Sequence, residues 1–123
     1  MAKTLLIVDD STSLRTTLRL ALTRAGYDVL EAADGVEALA VLGKAPKVHL
    51  IVCDLDMPHM DGLAFVAQID QHPRHRFIPV VMLTTEGEED ARRRDSLAQA
   101  KTWITKPIHP PQLLDTVSRL LLG

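Results

Sequence analysis

The sequence predicts a doubly wound α/β sandwich, an open five-stranded parallel sheet in the order 2-1-3-4-5 with five flanking helices. Two observations predict it. Five short apolar runs recur along the chain, and each is followed by a segment with helical character. At least three of the runs are continuously apolar, as parallel strands covered on both faces require, where a half-exposed strand would alternate.

The first strand is expected over Leu5–Val8. The segment after it sets Leu14, Leu18, Ala21, Leu22 and Ala25 on one helical stripe. It stops at Gly26, a residue able to take the left-handed conformation of a helix end. The second strand reads as Asp28–Ala32, with a helix from Gly35 to Leu42. The third reads as Val48–Cys53, with a helix from Gly62 to Gln71, and the fourth as Pro79–Leu83. A fourth helix near Glu88 to Gln99 has a thin apolar face of Ala91, Leu97 and Ala98 around Arg92-Arg93-Arg94-Asp95. Few apolar anchors make a helix that shifts at low energetic cost. The triple arginine is offset by Glu88, Glu89, Asp90 and Asp95, which suits a solvated or docking face better than an anion site. The fifth strand is Lys101–Thr105. Pro110-Pro111 then open a last helix carrying Leu113, Leu114, Val117, Leu120 and Leu121.

The totals narrow the class. A length of 123 residues fits one domain, expected over 1–123, and the chain has no internal repeat or linker. Fourteen basic residues against sixteen acidic give a net charge of −2, which lacks the basic excess of a nucleic-acid binder. No apolar stretch approaches the ~20 residues that span a bilayer, so no membrane insertion is expected. The amino-terminal apolar strand runs straight into two aspartates, unlike a signal peptide. Cys53 is the one cysteine, which fits a reducing, cytoplasmic location and a small buried side chain. His72 and His75 form an H-x-x-H in a loop without an evident third ligand.

In an open parallel sheet, ligands bind beyond the carboxyl ends of the strands, where strand order reverses. Strand one is followed by Asp9-Asp10, strand three by Asp54, strand four by Thr84-Thr85 and strand five by Lys106-Pro107. Three carboxylates, a hydroxyl and an ammonium are thus expected along one edge. Crowded carboxylates repel, and a divalent cation resolves the conflict. Magnesium takes hard oxygen ligands, commonly one or two carboxylates plus phosphate oxygens. Asp54 could then act as a nucleophile on phosphorus, while Lys106 and Thr84 engage the phosphoryl oxygens. Blander readings exist for each residue: Asp9-Asp10 could cap the first helix, Thr84 could be a strand-end hydroxyl and Trp103 could be plain packing.

Four segments carry a resemblance: Leu6-Ile7-Val8-Asp9-Asp10-Ser11, Asp54-Leu55-Asp56-Met57-Pro58-His59-Met60-Asp61-Gly62, Pro79-Val80-Val81-Met82-Leu83-Thr84 and Trp103-Ile104-Thr105-Lys106-Pro107. In this order and spacing the chain resembles response-regulator receiver domains of two-component signalling, in length the free-standing, CheY-like members with the flavodoxin-like fold. The resemblance implies that Asp54 accepts a phosphoryl group from a histidine kinase or histidine phosphotransfer protein. It implies magnesium held by Asp10 directly, by Asp9 largely through water, by Asp54, and by the Asp56 backbone carbonyl. Thr84 and Lys106 would contact the phosphoryl group, the Lys106–Pro107 bond would be cis, and Asp56 and Glu86 would tune dephosphorylation. Thr84 and the aromatic at 103 would switch the surface made by the fourth helix, fifth strand and last helix, which a downstream partner protein reads.

The chain departs from the family pattern in having Trp103 where Tyr or Phe is commoner, Gln99 where glycine is frequent, and an acid at Asp56. With no output domain expected after Leu121, output falls to protein contacts by a monomer, in chemotaxis or another pathway. It is not expected to be an enzyme, beyond self-phosphorylation from small donors and slow self-dephosphorylation. Two other readings stand beside this one. Asp54-Leu55-Asp56 also resembles the nucleophile strand of haloacid-dehalogenase-type phosphohydrolases, although Asp9-Asp10 precede it where those proteins place their acidic pair after. An interaction module that works without phosphorylation is the other.

Overall fold

A computed structural model of the chain describes residues 2–85 and 101–122. The elements are β1 (Thr4–Val8), α1 (Thr12–Arg24), β2 (Asp28–Ala32), α2 (Gly35–Lys44), β3 (Leu50–Asp54), α3 (Gly62–Gln71), β4 (Val80–Thr84), β5 (Thr102–Thr105) and α4 (Pro110–Leu121). All five strands are parallel and stand in the order β2-β1-β3-β4-β5, as the pattern predicts. The helix expected near Glu88 to Gln99, the arginine run within it, Gln99 and Glu86 lie outside the described residues.

The sheet divides the core in two. Alternate residues of β1 point to opposite faces: Leu6 and Val8 join Ile51, Cys53, Phe65 and Met82 on one side, under α2 and α3. Leu5 and Ile7 join Val52, Leu83, Leu18 and Val117 on the other, under α1 and α4. β3 and β4 are buried at every residue, which explains their unbroken apolar runs.

The helix starts are built locally. Ser11, Asp34 and Asp61 cap α1, α2 and α3, each accepting a backbone N–H from three residues on. Asp9 and Asp10 are therefore not the caps of α1, and their carboxylates are left for the strand end. Strand limits move slightly from the apolar runs. β3 begins at Leu50, two residues later than expected, and its pairing runs on through Asp54. β4 likewise starts after Pro79, which has no N–H to give a ladder, and takes in Thr84. Gly26, at φ 98°, turns the chain after α1.

Candidate functional site

Parallel register brings the strand ends level. Val8 pairs with Cys53, Asp54 with Leu83, and Thr84 with Thr105. The residues at or just beyond these positions are Asp9, Asp10, Asp54, Thr84 and Lys106, so the topology sets all of them along one edge. One oxygen from each of Asp9, Asp10 and Asp54 lies within 4.8 Å of the others. Asp9 is 1% exposed and Asp54 3%, whereas Asp10 is open to solvent.

The Lys106 ammonium stands 2.9 Å from Asp54 Oδ1 and 3.6 Å from Asp9 Oδ2. Among the described residues, one ammonium against three carboxylates leaves the cluster negative. Like charges at about 4 Å repel by roughly 4 kcal/mol at an effective dielectric near 20, and two of these groups have lost most of their water. A set of hard oxygen donors this close, buried on one side and open at Asp10, fits a divalent cation of the magnesium type.

Each carboxylate is held by its surroundings. Asp9 Oδ1 accepts the Ser11 N–H at 2.8 Å, and the Asp9 N–H donates to Ala32 of β2 at 3.1 Å. The Arg15 guanidinium donates to the Asp9 carbonyl and pairs with Glu31 at 3.2 Å. Sequence reasoning passed over Arg15. The available signal was its place one turn into α1, from which a long cation can reach back to the strand end.

Asp54 is backed by Gly62. A Cβ there would come within 2.5 Å of the Asp54 carbonyl oxygen and 2.9 Å of Leu55 Cα, so only glycine lets α3 start this close to the strand. The Gly62 N–H closes the loop onto the Leu55 carbonyl at 2.8 Å. Within that loop His59 takes a left-handed φ of 65°, and its Nδ1 lies 2.8 Å from Asp34 Oδ2. Asp34 thus ties the loop to the start of α2. The N–H of Glu37, and then His59, hold its carboxyl below the usual range. Neither Asp34 nor His59 was singled out in the sequence, because their pairing joins two loops distant in the chain.

Cys53 is fully buried beside the site, and its thiol donates to the Asp54 carbonyl at 3.2 Å. Burial pushes this thiol well up, with the charges of Asp54, Asp9 and Asp61 adding to it, so it stays protonated and unreactive. Thr84 is buried, and its hydroxyl donates to the Thr85 carbonyl at 3.0 Å. The Lys106 N–H donates to the Thr84 carbonyl at 2.6 Å, and the Lys106–Pro107 bond is cis. Asp56 is exposed. Trp103, paired with Met82 across β4 and β5, is half-buried against the α2–α3 side of the core. His72 and His75 stack at 3.8 Å between ring centres, and His72 Nδ1 accepts the N–H groups of Arg74 and His75.

The comparisons with known proteins agree with this geometry. The family model of the response regulator receiver domain matches residues 5–118. The chain is 38% identical over 120 residues to chemotaxis protein CheY1 of Helicobacter pylori, covering 97% of this chain and 96% of that one. It is 36% identical over 118 residues to a chemotaxis protein CheY homolog of Campylobacter jejuni, covering 95% and 91%. Among solved structures it resembles chemotaxis response regulator CheY4 of Vibrio cholerae, with a TM-score of 0.89, 39% identity and coverage of 98% and 100%. The chain therefore belongs to the response-regulator receiver family and is a phosphorylation-dependent signalling switch.

Proposed function

We propose that Asp54 is the phospho-acceptor, receiving its phosphoryl group from a histidine kinase or histidine phosphotransfer protein. An Asp54 carboxylate oxygen forms the new bond to phosphorus as the bond from phosphorus to the donor nitrogen breaks. Asp9, Asp10, Asp54 and the Asp56 backbone carbonyl are the residues that would hold magnesium, which supplies positive charge against the carboxylates and the incoming oxygens. Lys106 moves from a carboxylate partner to a phosphoryl oxygen, and the Thr84 hydroxyl turns from the Thr85 carbonyl toward the same group. Trp103 responds to that movement and alters the surface of β5 and its neighbouring helices, which a downstream protein reads. Asp56 and Glu86 set the lifetime of the phosphorylated state. By analogy with the Helicobacter and Campylobacter relatives, the process is chemotaxis.

The observation that supports this reading best is the Lys106 ammonium 2.9 Å from Asp54, among three carboxylates whose oxygens lie within 4.8 Å. The test is intact mass after incubation with magnesium and acetyl phosphate, for wild type and Asp54→Asn. A gain of about 80 Da, one phosphoryl group, is expected in wild type alone and lost with chelator. An equal gain in Asp54→Asn, or none in wild type even with a matched kinase, overturns it.

A further inference from the structure

The opposite end of the sheet carries a second feature that the phosphorylation chemistry does not use. An open groove of about 600 Å³ runs across the amino-terminal ends of the strands, between the ends of α2, α3 and α4. Its floor is apolar, formed by Leu42, Val48 and Ile78 among others, and its rim carries Lys3, Lys47 and Arg74. Among the described residues no carboxylate lines it, although acids outnumber bases in the chain.

Among the described residues the rim cations meet no carboxylate. Lys3 donates to the Leu121 carbonyl at 2.6 Å, which caps α4, and pairs with no carboxylate among the described residues. Neither Lys47 nor Arg74 pairs with a carboxylate among the described residues. At the lip, Phe77 is 78% exposed and lies under the Arg76 guanidinium, 4.9 Å from its ring centre. An exposed aromatic beside arginines is the composition found at the centres of protein interfaces. The loop that presents it is fixed by turn hydrogen bonds, Arg76 N–H to the His72 carbonyl and Ile78 N–H to the His75 carbonyl, each 3.0 Å. The surface is therefore preformed, which lowers the entropic cost of binding.

We propose that this groove docks an acidic segment of a partner protein, whose apolar side chains fill the floor while its carboxylates meet Lys47 and Arg74. An inorganic anion would have no use for the apolar floor. A second copy would offer its own acidic edge head to tail, a contact that does not close and competes with phosphorylation. An acidic, apolar-anchored segment satisfies both halves of the groove, and its site is at the far end of the sheet from Asp54. The chain can hold such a partner whether or not it is phosphorylated.

The experiment is a display selection of random twelve-residue peptides on the intact chain, with subtraction on a Lys47→Glu/Arg74→Glu double variant. Both positions border an open groove, so the variant is expected to unfold at the wild-type temperature and to take acetyl phosphate normally. Peptides that survive the subtraction are expected to be net acidic with two or more large apolar residues. As fluorescent probes they should lose at least ~10-fold affinity on the double variant and on Phe77→Ser, about the loss of one strong anchor. The same affinity is expected with and without acetyl phosphate. Survivors that are neutral or basic, or that bind Phe77→Ser as well as wild type, overturn the proposal. So does an empty subtraction, or self-association of the chain that Lys47→Glu/Arg74→Glu abolishes.

Discussion

At the carboxyl ends of the strands the charged groups are crowded around two buried carboxylates; at the amino ends they are exposed and spread around a groove. Asp9 and Asp54 have almost no contact with water, and Lys106 is the ammonium beside both. Lys47 and Arg74 stand in solvent, where a charge costs the fold nothing. The difference follows from the strands themselves. Strands buried on both faces lead straight to Asp9 and Asp54, so short acidic side chains start inside the protein and cannot reach out. At the other end long basic side chains extend from loops and α-helix ends into water. One end holds electrostatic tension that a cation or phosphoryl group can release. The other holds charge free for recognition.

Substitutions should therefore be felt at the acidic end and hardly at the basic one. The largest effect is expected for Gly62→Ala, whose Cβ meets backbone atoms of Asp54 and Leu55 that cannot yield. It should lose about 2–3 kcal/mol in urea unfolding and displace Asp54 enough to weaken phosphorylation. Gly35→Ala is the comparison, since the nearest atoms its Cβ meets belong to a side chain rather than to backbone, Met60 Cγ at 2.8 Å, Sδ at 2.9 Å and Cβ at 3.0 Å, so it should cost less. A loss there equal to that of Gly62→Ala would mean that backbone proximity is not the cause. Next comes Lys106→Met, which leaves Asp54 and Asp9 buried beside each other without their ammonium. In chelator it should cost about 2 kcal/mol, less than a fully buried pair because Lys106 is 26% exposed. Magnesium should recover part of that loss, and an undiminished gap would argue against a shared cation role.

Smaller still is Asp56→Asn, an exposed acid flanking the proposed phospho-acceptor Asp54. A change in the self-dephosphorylation rate of at least ~3-fold is expected, about 0.65 kcal/mol in the barrier, with no change in stability. Unchanged decay of the labelled variant would remove Asp56 from the lifetime of the switch. At the basic end, Lys47→Glu, Arg74→Glu and Phe77→Ser should each stay within about 0.5 kcal/mol of wild type, since their side chains lie at an open surface.

Much of the acidic end was legible in the sequence because its residues sit at fixed offsets from apolar runs. Once Leu5–Val8 and the run ending at Cys53 are read as parallel neighbours, Asp9, Asp10 and Asp54 must converge. The supports were not legible. Arg15 reaches the Asp9 carbonyl across a helical turn, and His59 meets Asp34 from a loop 25 residues away, pairings that no periodicity encodes. The groove was invisible for a related reason. Lys3, Lys47 and Arg74 are isolated cations in the sequence, and only the level starts of β1, β3 and β4 bring them around one depression. Patterns along a chain report burial well; they report convergence only where strand ends impose it.

The smallest expected effect concerns the loop that forms the lip of the groove. Burial, then the charges of His72 and Arg74, hold His75 below its ordinary value of 6.5. The folded state therefore resists protonating this ring while the unfolded chain does not. As pH falls from about 6.5 toward the lower folded-state value, the unfolded chain binds more protons, and stability declines. Above that window His75 is neutral in both states and contributes no slope. Urea unfolding at pH 7.5 and 5.5 should show His75→Gln losing less stability on acidification than wild type, because glutamine has no proton to gain. Every other titratable group is the same in the two proteins and cancels in the comparison. An identical loss in the two proteins would mean that burial and the neighbouring charges do not oppose protonation of His75. The loop would then be set by its backbone turns alone, and acid should leave the lip of the groove unchanged.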